Sequence, residues 1–148
     1  KDPFRPGASG TATGQKTVQG GILDPGSFAV FNGSWCSTDY NNLWTGKYSG
    51  TDNTHYGNDM IKTIYDPSPV GYKVPAQTAF NCIGSSITFV PNGYLNRSSG
   101  SQEGTSGTLY WSSVSYTTNT NGYSYNTNKS GLANDYKAQG FAVRPVTE

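Results

Sequence analysis

Glycine and proline cut this chain into pieces too short for a long helix. Nineteen glycines and eight prolines, set among abundant Thr, Ser and Asn, are poor helix material and good material for short strands and turns. The run MIKTIYDPSPVGYKVP, residues 60–75, shows the effect locally. There Pro67, Pro69 and Pro75 forbid an interior helix and predict a strand through Ile61 and Ile64, a turn, and a short strand through Val70, Tyr72 and Val74. A β-dominated fold follows.

At 148 residues the chain is long enough for one domain with a real core and too short for two comfortable ones. Charged residues are 13% and aromatics 14%, with eleven Tyr and three Trp, so burial must lean on aromatic rings. The formal charge is +1, and no run of Lys and Arg exists to track a phosphate backbone, which argues against nucleic acid as a partner. No apolar run approaches the roughly 20 residues of a membrane-spanning helix. The chain begins at Lys1 without a charged-then-apolar leader, as expected for a mature product or an excised piece. Low charge with many Tyr and Asn resembles exported, extracellular domains. Cys36 and Cys82 admit two equal readings, a disulfide and two separate buried thiols.

Residues 1–17, KDPFRPGASGTATGQKT, contain a single aromatic and too little apolar surface to offset ordering entropy. They read as a linker or arm from preceding domains, with the folded domain over 18–148. In VQGGILDPGSFAVF an Asp-Pro-Gly turn precedes a strand through Phe28 and Val30. Residues 32–59 read as a long irregular excursion pinned by Trp35 and Trp44. AQTAFNCI, residues 76–83, suggests one short helix. SITFVPNGYLNR predicts a hairpin, with Ile87 and Phe89 returning through Tyr94 and Leu95 after Pro-Asn-Gly. Beyond the polar bridge SSGSQEGTSG, three strand candidates remain, LYWSSVSY, GYSYN and FAVRPV.

Those last candidates frame a distinctive segment. Between Val114 and Gln139 the chain reads VSYTTNTNGYSYNTNKSGLANDYKAQ, with few large aliphatics and few charges. Tyr among Asn, Ser and Gly is the mixture that gives antibody loops rigid amphipathic anchors and adaptable hydrogen bonding. The expected contact residues are Tyr116, Thr118, Asn119, Asn121, Tyr123, Tyr125, Asn126, Asn128, Asn134 and Tyr136, the rings as anchors and the amides as specificity. Tyr also favours strands by propensity, so the competing reading is an ordinary half-buried sheet face. Trp35, Trp111, Phe141 and Val143 read as framework, and Arg144 as an ion-paired or capping side chain.

KTIYDPSPVGYKVP, the FVPNGYLNR segment, LYWSS and the closing GFAVRPV, taken in that order, resemble the C-type-lectin-like domains that end many Bacteroidetes surface and fimbrillin-like pilus-tip proteins. The same pattern characterises the Fibrobacter succinogenes major paralogous domain. The resemblance covers roughly residues 22–148 and implies a β-dominated α+β fold, with short antiparallel strands, long loops and at most one or two short helices. Family members often carry Cys where this chain has Ser68, and some carry another where Pro145 stands, so that cross-link cannot form here. The filling is similar to the hypervariable segment of variable proteins of diversity-generating retroelements. Their adenine-directed mutagenesis turns Asn codons into Asn, Tyr, Ser, Thr, Asp and Gly codons. The resemblance thus implies a cell-surface or pilus-tip adhesin whose ligand is a protein or glycan on a host or neighbouring cell.

Chemistry leaves little trace. His55 is the single histidine, which leaves no two-histidine metal site and no strong Ser-His-Asp arrangement. The acids Asp24, Asp39, Asp52, Asp59, Asp66, Glu103 and Asp135 lie scattered in turn-like sequence. No phosphate-binding glycine loop and no calcium-loop spacing occur. Calcium-dependent lectins resemble EPN or QPD followed by WND at the sugar site; here only Pro91-Asn92 remains, and Trp111 precedes Ser-Ser. Cys36 and Cys82 sit too early for the paired cysteines of the distantly similar formylglycine-generating enzymes. The expectation is a non-enzymatic binding domain without metal or cofactor. Its alternatives are a structural pilin or surface module without a dedicated ligand site and, less favoured, a carbohydrate-active enzyme.

Overall fold

The computed structural model describes residues 11–24, 26–38, 40–46, 60–82, 89–116, 120–129 and 131–148. Among them the fold is β-rich, built from short, mostly antiparallel pairings with almost no helix. The central element is a three-stranded antiparallel sheet of β6 (Leu109–Ser115), β7 (Asn121–Asn126) and β8 (Gly131–Tyr136). All seven residues of β6 are buried. Leu109, Tyr110, Trp111 and Val114 supply the apolar part of that burial. On its other edge β6 meets two loops, where Trp111 N–H donates to Ala142 O (3.0 Å) and Ser113 N–H to Pro75 O (2.9 Å). A register shift between Trp111 and Ser115 bulges the strand, and bulges bend a strand and re-aim its side chains.

β7 and β8 pair without interruption over six residues. GLANDY is weak strand sequence by propensity, and no strand is expected there from sequence. It holds because one neighbour supplies the whole ladder and because Asp135 is drawn into a buried polar cluster. Around this sheet lie three two-stranded pairings. β1 (Thr11–Thr13) pairs in parallel with β2 (Phe28–Val30), β3 (Tyr72–Lys73) with β9 (Val146–Thr147), and β4 (Tyr94–Leu95) with β5 (Gln102–Glu103). The described chain therefore begins with a strand inside the segment expected as an arm. A further bridge joins Lys16 to Cys36.

The helices are short. α1 (Val18–Leu23) starts at Thr17, whose Oγ1 accepts from Gly20 N–H at 3.0 Å, a standard N-cap. A 3₁₀ turn spans Gln77–Cys82, where the sequence suggests a short helix, and another spans Thr127–Lys129. Phe80 of the first stacks on Tyr125 with centroids 5.4 Å apart, covering one face of the central sheet. The opposite face carries Trp111, stacked on Phe141 at 4.6 Å, with its indole N–H donating to Gln139 O. Trp111 is buried as framework, while Trp35, Phe141 and Val143 are half-buried.

Four expectations need correction. Among the described residues, Phe89 and Val90 form no strand with Tyr94 and Leu95, so the Pro-Asn-Gly hairpin is not seen there. β4 pairs with β5 from the polar bridge instead, and Asn92 turns its amide onto Leu109, accepting from its N–H (2.8 Å) and donating to its carbonyl (2.9 Å). No strand runs through Ile61 and Ile64, which are exposed at 62% and 91%. There Lys62 Nζ donates to the carbonyls of Ser68, Pro69 and Tyr72, and Asp66 accepts from Ser68 and Val74 N–H. Side chains thus satisfy main-chain groups that a ladder would otherwise take. FAVRPV makes only an isolated bridge at Ala142 before β9, since Pro145 lacks the N–H a ladder needs. Arg144 lies over the Phe89 ring at 4.7 Å, a cation–π contact rather than an ion pair. Cys36 is a buried free thiol. The side chain of Cys82, residues 1–10, Asp39, Asp52, His55, Asp59, Ile83 and Ile87 lie outside the described residues.

Candidate functional site

Alternation along β7 separates its side chains. Gly122, Ser124 and Asn126 are buried, and Asn121, Tyr123 and Tyr125 are half-buried on the other face. The buried set is structural. Ser124 Oγ donates to Asp135 Oδ2 at 2.7 Å, Asn126 Nδ2 donates to the same oxygen at 3.1 Å, and Lys129 Nζ donates to Asp135 Oδ1. Asn126 Oδ1 also accepts from Asn128 N–H at 3.0 Å. Both polar atoms of the Asn126 amide are therefore used inside the fold, although the sequence places it among the contact residues.

The half-buried face divides along its length. Tyr125 lies between Phe80 and Phe89, the latter edge-on at 6.3 Å. Tyr123 packs against the Met60 and Val114 cluster and meets Tyr116 edge-on at 5.1 Å. Burial, then proximity to Tyr116, raises the Tyr123 phenol above its ordinary pKa. These two rings anchor the sheet to what covers it.

Towards the 116–121 end the sheet opens. Asn121 pairs across the ladder with Tyr136 and donates its Nδ2 to Asn134 Oδ1 at 3.0 Å. Tyr136 is exposed at 38%, with the Arg97 guanidinium 4.1 Å from its ring centroid. Arg97 is held in turn by Asn32 Oδ1 at 2.9 Å. Tyr116, Asn121, Asn134 and Tyr136 thus gather at one end, with Thr120 Oγ1 donating to Asn121 Oδ1. Thr118 and Asn119, between Tyr116 and Thr120 in the chain, lie outside the described residues. Asn128 is exposed at the opposite end, its amide lying against Gly107. Arg97 and Asn32, absent from the sequence-based selection, join the site through folding alone, and no local signal marks them.

Among the described residues no three of His, Cys, Asp and Glu come close enough together to hold a metal ion, and no helix is long and apolar enough to cross a membrane. Two concavities formed by described residues lie over the opposite face of the sheet. A cavity of about 90 Å³ there is lined by Trp35, Trp44, Trp111, Ser115 and Lys137 among others, and beside it lies a wider cleft of about 400 Å³. No family model, no curated protein and no solved structure matches this chain.

Proposed function

We propose that this chain is a non-enzymatic recognition domain of an extracellular surface or pilus-tip adhesin, of C-type-lectin-like type. Its contact surface is the open end of the β7–β8 ladder. The observation that carries the reading is the grouping of Tyr116, Asn121, Asn134 and Tyr136, with Arg97, at that end. Aromatic rings and amides at partial exposure offer flat contact area and hydrogen bonding together. Arg and Tyr are also the residue types that dominate binding energy in protein interfaces. The segment outside this end, from Tyr123 to Asn126, is committed to packing, so the recognition surface is narrower than the polar segment of the sequence. A ligand on a host or neighbouring cell, protein or glycan, is the partner this surface suits.

Sequencing the locus in sibling strains tests the reading. Substitutions concentrated at positions 116, 118, 119, 121, 134 and 136, with Ser124, Asn126 and Asp135 constant, are expected. Drift spread evenly over all exposed loops would sink a diversified binder and favour a structural surface module.

A further inference from the structure

The open end of the β7–β8 ladder is rich in hydrogen-bond donors and poor in acceptors. Thr120 Oγ1 donates to Asn121 Oδ1 at 2.9 Å, and Asn121 Nδ2 donates to Asn134 Oδ1 at 3.0 Å. This chain of bonds uses both polar atoms of the Asn121 amide and ends on the Asn134 Nδ2 group, which has no acceptor among the described residues. Tyr136, opposite Asn121 in the register, has a hydroxyl with no hydrogen-bond partner among them.

Arg97 adds the charge. It stands in the turn between β4 and β5, where Asn96 accepts from Ser98 N–H and Gly100 N–H, each at 2.7 Å. Its main-chain N–H donates to Gln139 Oε1 at 2.9 Å, which ties the turn to the segment after β8. Its Nε donates to Asn32 Oδ1, and its guanidinium lies on the Tyr136 ring. The plane of the group is thus held from two sides while the Nη donors stay unused. Among the described residues no carboxylate answers them. Glu103 accepts from Tyr94 and Asn96, and Asp135 from Ser124, Asn126 and Lys129. A fixed planar fork of N–H donors matches the two oxygens of a carboxylate, and an ionised carboxylate only accepts.

What flanks the donors selects the carrier of that carboxylate. Side chains alternate along a strand, so Leu132, Asn134 and Tyr136 share one face of β8. Leu132 is exposed at 41%, and an aliphatic side chain beside the donors suits protein side chains better than a hydrated sugar acid. Neither concavity includes Arg97, Asn134 or Tyr136, so the group is presented to an open surface rather than enclosed. We propose that this end receives the Asp or Glu side-chain carboxylate of a protein partner, bidentate on the Arg97 Nη groups. Asn134 Nδ2 and the Tyr136 hydroxyl donate to polar groups beside it, and Leu132 takes an apolar neighbour. The inference rests on the reading of this end as the recognition surface and names its partner.

The test titrates the ¹⁵N-labelled chain with the capped peptides Ac-Leu-Glu-Leu-NH₂ and Ac-Leu-Gln-Leu-NH₂, which differ in one charge. Saturable shifts of the Arg97 Nε–H, the Asn134 side-chain amide and the Tyr136 main-chain amide are expected with the Glu peptide. Binding of the Gln peptide should be about tenfold weaker, as for a neutral against an ionised acceptor. Raising NaCl from about 0.05 to 0.5 M should weaken the Glu peptide severalfold. Arg97→Lys keeps the charge and loses the fork, and should weaken it by about fivefold with the other amide resonances unmoved. The comparison of the two peptides on the parent chain decides the matter even if that variant fails to fold. Equal shifts with both peptides, no shift with either, or tighter binding of N-acetylneuraminic acid or inorganic phosphate each overturn the proposal. Strain variation confined to the tyrosine end, with no peptide shift, would overturn the carboxylate partner and leave the adhesin reading standing. Peptide binding with evenly spread drift would do the reverse.

Discussion

Ser124 and Asp135 are joined diagonally across the β7–β8 ladder, the Ser hydroxyl donating to Asp135 Oδ2 at 2.7 Å in a position closed to solvent. Asn126 shares the same oxygen, and Lys129 neutralises the other. A carboxylate at 5% exposure persists in the interior because every side of it is answered. The cluster fixes the register of a strand whose sequence has little strand preference.

Asp135→Ala removes the shared acceptor and leaves the Ser124 hydroxyl and the Asn126 Nδ2 group unpaired in the interior. A loss of about 2–4 kcal/mol is expected, read as a lower urea midpoint with an unchanged slope. Asn121→Ala and Tyr136→Ala, at the open end of the same ladder, should each cost no more than about 1 kcal/mol. If all three variants lost stability alike, the division between packing and presenting residues would be wrong.

That division shows what the sequence could and could not carry. Two of the three framing strands were legible, because LYWSSVS and GYSYN carry aromatic and β-branched residues that favour strands wherever they pair, whereas FAVRPV makes only a bridge at Ala142 before its final Val146. The partition of Tyr116 to Tyr136 was not, because Asn126 and Asn134 have the same chemistry and differ only in what folding places beside them. Pro91-Asn92-Gly93 misled for a related reason. Asn-Gly is the strongest short hairpin signal, yet an Asn amide also mimics a peptide group, and here it pairs with both polar groups of Leu109. Choosing between those uses requires knowing that β6 passes nearby.

Gly93 shares in that arrangement. Its φ is +62°, and a Cβ there would stand 2.7 Å from the carbonyl oxygen of Glu103, a backbone atom held in the β4–β5 pairing. Both the left-handed backbone and the contact oppose a side chain. Gly93→Ala is expected to destabilise by about 2–3 kcal/mol, measured as a fall in thermal midpoint. A midpoint within a degree or two of the parent would show that the loop relaxes without strain.

Tyr94 and Tyr123 give stability an alkaline limit. Burial holds both phenols in the neutral form, helped at Tyr94 by its hydrogen bond to Glu103 and at Tyr123 by neighbouring Tyr116. Tyrosines in the unfolded chain ionise near pH 10, so above that pH the unfolded state sheds protons the folded state retains. Stability is full below about pH 10 and falls as pH rises through the folded values. An absorbance titration at 295 nm should show late-titrating phenols, one of which disappears in Tyr123→Phe. Uniform titration near pH 10 would contradict the packing of both rings.

The Asp66 carboxylate organises the DPSP turn with two charge-assisted bonds, accepting from Ser68 N–H at 2.7 Å and Val74 N–H at 2.9 Å. Two prolines in four residues leave few main-chain donors there, so these two N–H groups have few other ways to be satisfied. Asp66→Ala should therefore cost about 2–4 kcal/mol. Asp66→Asn keeps one acceptor oxygen and should recover roughly half of that loss. Ser68, buried with a hydroxyl that has no protein partner, should respond in the opposite sense. Replacing that hydroxyl by hydrogen in Ser68→Ala removes an unpaired polar group, with an expected gain of up to about 1 kcal/mol. Denaturant midpoints of the three variants decide the matter: a destabilising Ser68→Ala would show that the hydroxyl has a bonding role, and a silent Asp66→Ala that the turn is held by its prolines alone.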